Sequence, residues 1–195
     1  MRYPLAVIYY VDSALIVIIS LIYPVHYWWS YSMGELIAIK DSPFYLSIML
    51  LGKYLLISRV ITVLLMGFAL YILTVLAFRL YESIFSDEPG NYSTMFWLPI
   101  LYILDPVIIY LVLAIALPRL APFLGTLGTN LSGFSSYPLL IIGSEQYVIN
   151  MGSESLALMV DSQPTLLYWI SLTAPALYIA SLIERRRSKR FNKTK

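Results

Sequence analysis

The stretch PFYLSIMLLGKYLLISRVITVLLMGFALYILTVLAF, residues 43–78, decides how the chain is read. Its only charges are Lys53 and Arg59, and no proline or turn cluster interrupts it after Pro43. Asp41-Ser42-Pro43 at its front has the form of a helix start, a capping side chain followed by proline at the first helical position. The stretch therefore reads as one long or bent helix, with residues 60–78 as the membrane-crossing part and Gly52 as the place for a bend. Such a helix would reach about 54 Å against a hydrocarbon core of about 30 Å, so its first half must tilt, lie along the interface or project from it. Lys53 and Arg59 then sit near one membrane face, where they snorkel or bind an anionic lipid headgroup or ligand.

Composition supports a membrane setting. Of 195 residues, 59% are hydrophobic and 12% charged, and the mean hydropathy is +0.77. An ordinary soluble domain has about a quarter of its residues charged, so this chain has too few to cover a water-facing surface. It contains no cysteine, which excludes disulfides, thiolate metal sites and a cysteine nucleophile.

Toward the N-terminus, Pro4 opens and Pro24 closes an apolar run over residues 5–23, interrupted by Asp12, Ser13 and Ser20. It reads as a first span; the bulky LIYPVHYWW that follows offers no small-residue cleavage site. VHYWWSYSMGELIAIKDS, residues 25–42, has the aromatic density of a segment at headgroup level. His26 is the one histidine, so the chain alone supplies neither a His-rich metal site nor a haem with two His ligands, and no cofactor is expected.

Toward the C-terminus, Arg79 and a Pro-Gly turn precede a third span at 95–117, which carries Asp105 followed by Pro106 near its middle. Residues 119–163 change character: Gly, Ser, Asn and Pro rise, and the short runs LLIIG, QYVIN and LALMV suggest a small three-stranded β-meander in an outward loop segment. Asn91, Asn130 and Asn192 open glycosylation sequons, a pattern that recurs by chance. A last span at 165–183 ends in ERRRSKRFNKTK, residues 184–195. That tail holds Arg185, Arg186, Arg187, Lys189, Arg190, Lys193 and Lys195, seven of the thirteen Lys and Arg. Such a cluster places the C-terminus in the cytoplasm, and four spans place the N-terminus there too. The tail also offers Arg185, Arg186 and Arg187 to anionic lipid, without aromatic interleaving that would suggest specific nucleic-acid binding. The expected architecture is thus an all-α integral protein of the cell membrane with four transmembrane helices.

An ionisable group inside a span is expensive and is a functional-site hypothesis by default. Asp12 falls about 10 Å into the first span and Asp105 about 15 Å into the third, counted from the same face. By the same count Tyr71 and Thr173 lie at about 10 and 15 Å, so the four could form one proton- or cation-handling layer. Enzyme readings lack their parts. There is no HExxH, GxSxG, Walker loop or Gly-rich dinucleotide fingerprint, and neither aspartate has the YD or GxGD setting of an intramembrane aspartyl protease. Two functions follow: a non-enzymatic small subunit of a larger membrane assembly, joined to other membrane subunits or to its own copies, or a proton- or cation-coupled transporter or channel.

Overall fold

The structure is a computed structural model, and it describes residues 4–22, 27–85, 95–120, 142–151 and 154–193. Helix α1 (Pro4–Ile22) leads into strands β1 (Trp29–Met33), β2 (Ile37–Ser42), β3 (Tyr45–Leu50) and β4 (Lys53–Tyr54). Helices α2 (Leu56–Phe85) and α3 (Trp97–Leu120) follow, then strands β5 (Gly143–Met151) and β6 (Glu154–Pro164), and finally helices α4 (Leu166–Ser171) and α5 (Thr173–Lys193).

The all-α expectation is overturned. One antiparallel sheet joins the six strands in the order β4-β3-β2-β1-β6-β5. The first half of the 43–78 stretch is not helix, and its helical reading fails at two turns. Ser42 pairs with Tyr45, so Pro43-Phe44 is the two-residue loop of a hairpin, closed by the Phe44 N–H donating to the Ser42 hydroxyl at 3.3 Å. Leu50 pairs with Lys53 across Leu51-Gly52, whose φ angles of 49° and 73° are the positive pair that a tight hairpin of right-handed twist requires. A leucine there is strained, and it hides the turn from a reader looking for Asn-Gly. The expected outward meander is a hairpin, β5–β6, covering QYVIN and LALMV; most of LLIIG lies outside the described residues. That hairpin is no separate unit, because β6 pairs with β1 along Trp29–Met33.

Alternation builds the sheet's inner face. Trp29, Tyr31 and Met33 of β1 lie opposite Asp41, Ile39 and Ile37 of β2, and these lie opposite Leu46, Ile48 and Leu50 of β3. Tyr31, Met33, Ile37, Ile39, Leu158 and Val160 form a buried cluster against which Ile109 of α3 packs. A second core lies between the helices, where Tyr9, Tyr10, Val17, Ile72, Leu76, Leu98 and Tyr102 are buried with Trp28 and Phe44.

Among the described residues three helices are long and apolar enough to cross a membrane: Pro4–Ile22, Leu56–Phe85, and Leu166–Arg187, which runs through α4 and α5. The expected third span is helical but contributes a shorter apolar stretch, Trp97–Val112. Helix α2 buries Ser58, Ala69, Ile72 and Leu76 and exposes apolar side chains such as Val63, Leu64, Leu70 and Phe78. A helix apolar on every side and packed on so little of itself suits lipid, not water. The Leu5 N–H donates to Glu184 Oε2 at 3.2 Å, so the start of α1 and the far part of α5 share one end of the bundle. The sheet is reached from the opposite ends of these helices.

Candidate functional site

Two acidic places emerge, and they differ in setting. The first is at the seam of sheet and helices. On β2 the odd positions Ile37, Ile39 and Asp41 share the buried face, so period-two geometry carries a carboxyl inward with two isoleucines. Helix α3 brings the stripe Leu98, Tyr102, Asp105 and Ile109 at spacings of four, three and four, which is one helix face. Ile109 meets the sheet, and Asp105 one turn earlier is brought toward Asp41. Asp41 is 8% exposed and Asp105 6%. Asp105 Oδ2 has no hydrogen-bond partner among the described residues. Burial, and then the charge of Asp105, push the Asp41 carboxyl well above the usual carboxylate range, while the Ser42 backbone N–H pulls the other way.

Trp28 holds this seam together. Wholly buried, its ring meets Tyr102 edge-on at 5.0 Å and Phe44 at 6.0 Å, and its Nε1–H donates to the Ser20 hydroxyl of α1 at 3.0 Å. Its backbone N–H donates to the Asp41 carbonyl at 2.7 Å. Alongside, the Trp29 Nε1–H donates to the Ser162 hydroxyl at 2.9 Å, tying β1 to β6.

The second place lies on the outside of the bundle. Pro175 cannot continue the hydrogen-bond ladder of a helix, and the chain breaks at Leu172 between α4 and α5. The Thr173 hydroxyl at this break lies 2.9 Å from Asp12 Oδ2 and 2.7 Å from the Ile170 carbonyl, so its single hydrogen serves one acceptor at a time. Asp12 is half-buried and Thr173 exposed. Around them Ile8, Val11, Leu15, Ile170 and Ile179 point outward.

The sequence grouped Asp12, Asp105, Tyr71 and Thr173 in one layer, and the structure brings together Asp12 and Thr173. Asp105 is buried, with its charge felt at Asp41, and no hydrogen bond joins it to Asp12. Tyr71 is 60% exposed on the outer side of α2. Lys53 is exposed in the short β4, and Arg59 in the first turn of α2 lines a cleft against β3. Arg186 and Arg187 are exposed on α5, and Arg185 is half-buried. His26, Asn91 and Asn130 lie outside the described residues, as does Thr194 of the Asn192 sequon. Among the described residues no three His, Asp or Glu side chains are placed to hold a metal ion.

Sequence reasoning missed Asp41, Trp28 and Tyr102. Asp41 had been assigned to a helix cap; the signal that finds it is the alternation of Ile37, Ile39 and Asp41. Tyr102 was visible as the residue one turn before Asp105. Comparison of the chain with protein-family models, curated proteins and solved structures returns no match.

Proposed function

We propose that the protein is a non-enzymatic, membrane-embedded subunit of a larger assembly, with the start of α1 and the end of α5 toward the cytoplasm and the sheet on the opposite side. The observation that carries this reading is the outward position of Asp12. It lies near the middle of α1, about 12 Å from the helix start, and its hydrogen-bond partner is a threonine on the same outer face. Intramembrane carboxyls almost always face a bundle interior, a wetted cavity or a paired group, because exposure to hydrocarbon costs several kcal/mol. Among the described residues, Arg185 lies about 18 Å along α5 from Thr173, and Arg59 and Arg79 mark the two ends of α2's apolar stretch. A neighbouring membrane helix seated between α1 and α5 would cover Asp12 and use Ile8, Val11, Leu15 and Ile179 as its apolar contacts. Orientation follows from the basic tail and from the meeting of Leu5 with Glu184.

Native mass measurement on the full chain purified in mild detergent tests this. The expected result is a mass above that of one chain, with the added chain released by Asp12→Leu while helix content is kept. A lone monomer from gentle extraction would sink the reading.

A second reading, proton or cation handling, is favoured by one observation, the buried Asp41 and Asp105 with an unpartnered Asp105 Oδ2. Two carboxyls in a dry place, with no ion pair to either among the described residues, share protons readily. Vesicles holding the purified chain should then dissipate an imposed pH gradient, and Asp105→Asn should stop this. Equal rates for the two proteins would remove this reading and leave the subunit reading standing.

A further inference from the structure

Between β3 and the start of α2 lies a cleft of about 400 Å³, lined by Tyr45, Ser47, Tyr54, Ser58, Arg59 and Met66 among others. We propose that this cleft seats one anionic phospholipid, its phosphate on the Arg59 guanidinium and its acyl chain along Val63 and Met66.

Depth comes first. Arg59 and Arg79 are twenty residues apart on one helix, a rise of about 30 Å, which is the thickness of the hydrocarbon core. The two arginines therefore mark its two edges, and Arg59 sits at headgroup level on the sheet side. It makes no ion pair or hydrogen bond with any described residue. Guanidinium binds phosphate through two parallel hydrogen bonds, which a free and exposed fork can offer without first breaking a contact.

Polarity grades along the cleft in the order a lipid needs. Tyr45, Ser47, Tyr54 and Ser58 line the cleft together with Arg59. Val63 and Met66, four and seven residues on, lie on the same helix face and carry the cleft about 10 Å toward the bilayer interior. The volume lies within the range of small-molecule sites.

The walls are fixed before any ligand arrives. The Thr62 hydroxyl donates to the Leu46 carbonyl at 2.6 Å and accepts from the Leu46 N–H at 3.2 Å, taking the place of a further strand beside β3. The Ser58 hydroxyl donates to the Leu55 carbonyl at 2.7 Å, which fixes it in the wall. The two-residue turn Leu51-Gly52 folds β4 back over β3, so Tyr54 forms part of the lining.

The test is lipid titration of the full chain in detergent, read by native mass spectrometry, with phosphatidylglycerol as probe and phosphatidylcholine and inorganic phosphate as comparators. We expect one phosphatidylglycerol held more tightly than phosphatidylcholine, and no retained inorganic phosphate. Arg59→Gln, at an exposed position that leaves folding intact, should weaken it about fivefold, as befits one surface cation. Arg79→Gln should leave it unchanged, and Met66→Trp should abolish it by filling the apolar end. The proposal falls if Arg79→Gln weakens binding as much as Arg59→Gln, since diffuse attraction to charge would then explain it. It falls equally if Met66→Trp binds as the parent does, or if inorganic phosphate displaces the lipid.

Discussion

Asp12 and Asp105 occupy comparable places in the sequence, each inside an apolar helix, yet the structure treats them in opposite ways. Asp105 turns inward beneath the sheet to a second carboxyl, Asp41, and both are almost fully buried. Asp12 turns outward and finds a hydroxyl at a helix break. The difference lies in what each helix faces. Helix α3 lies against β2, whose alternation presents Asp41 on the covered side, whereas the hydroxyl that Asp12 meets sits at the break between α4 and α5. One carboxyl is thus held between sheet and helix, and the other at a break in the outer helix.

The comparison can be broken most forcefully at Trp28, which joins the inward site to the helix core. Trp28→Ala removes the ring that meets both Tyr102 and Phe44, and should cost about 3 to 5 kcal/mol. Unfolding followed by circular dichroism in detergent would read this as a large fall in midpoint; a change under about 1 kcal/mol would mean that the seam is not part of the cooperative core.

The next effect is a pH dependence. Because the Asp41 carboxyl is raised above its ordinary value of 3.8, the folded state holds a proton that the unfolded chain gives up. Stability from this site is complete below that ordinary value and is lost as pH rises toward the folded-state pKa, at about 1.4 kcal/mol for each unit by which the pKa is raised. Asp41→Asn should raise the unfolding midpoint at neutral pH and flatten its fall with pH. Asp105→Asn should lower the Asp41 pKa in part, since burial is the larger cause, and Asp12→Asn should leave that pKa in place. Infrared titration of the Asp41 carboxyl distinguishes these cases, and an equal response to both asparagine substitutions would erase the contrast between the two sites.

The smallest effect belongs to the outward place. Thr173→Val removes a hydrogen bond between two apolar helices and should change the stability of the isolated chain by about 0.6 kcal/mol. Under the proposed subunit reading the same change should weaken association, because Asp12 would lose the group that orients it. A loss of several kcal/mol in the isolated chain would instead make this contact part of the fold.

Much of this was legible. The helices α1 and α2 and the α4–α5 segment follow from long apolar runs, and the β5–β6 hairpin from short runs between polar turns. The sheet's first four strands were not read, for two physical reasons. Ser42-Pro43 suits both a helix start and a hairpin turn, and local chemistry does not choose between them. The Leu51-Gly52 turn spends a leucine where Asn or Gly is usual, so an apolar run conceals the reversal. Yet WSYSM, residues 29–33, alternates without fault, and its period of two was the available warning. Asp41 was lost with the sheet: as a cap it would face water, and only as a strand residue beside Ile37 and Ile39 does it turn inward.

The pairing of β1 with β6 has a consequence for biosynthesis. The strands β1 to β4 are made early, but the far side of β1 finds its partner only when Val160 to Pro164 have left the ribosome, some 130 residues later. Throughout that interval Trp29, Tyr31 and Met33 stand on a strand with one edge unsatisfied, the kind of edge that recruits strands from other chains. The early strands thus need either a quick hand-over to the membrane or a chaperone over that edge, and slowing elongation between Tyr54 and Glu154 should raise aggregation of the nascent chain before it affects anything else.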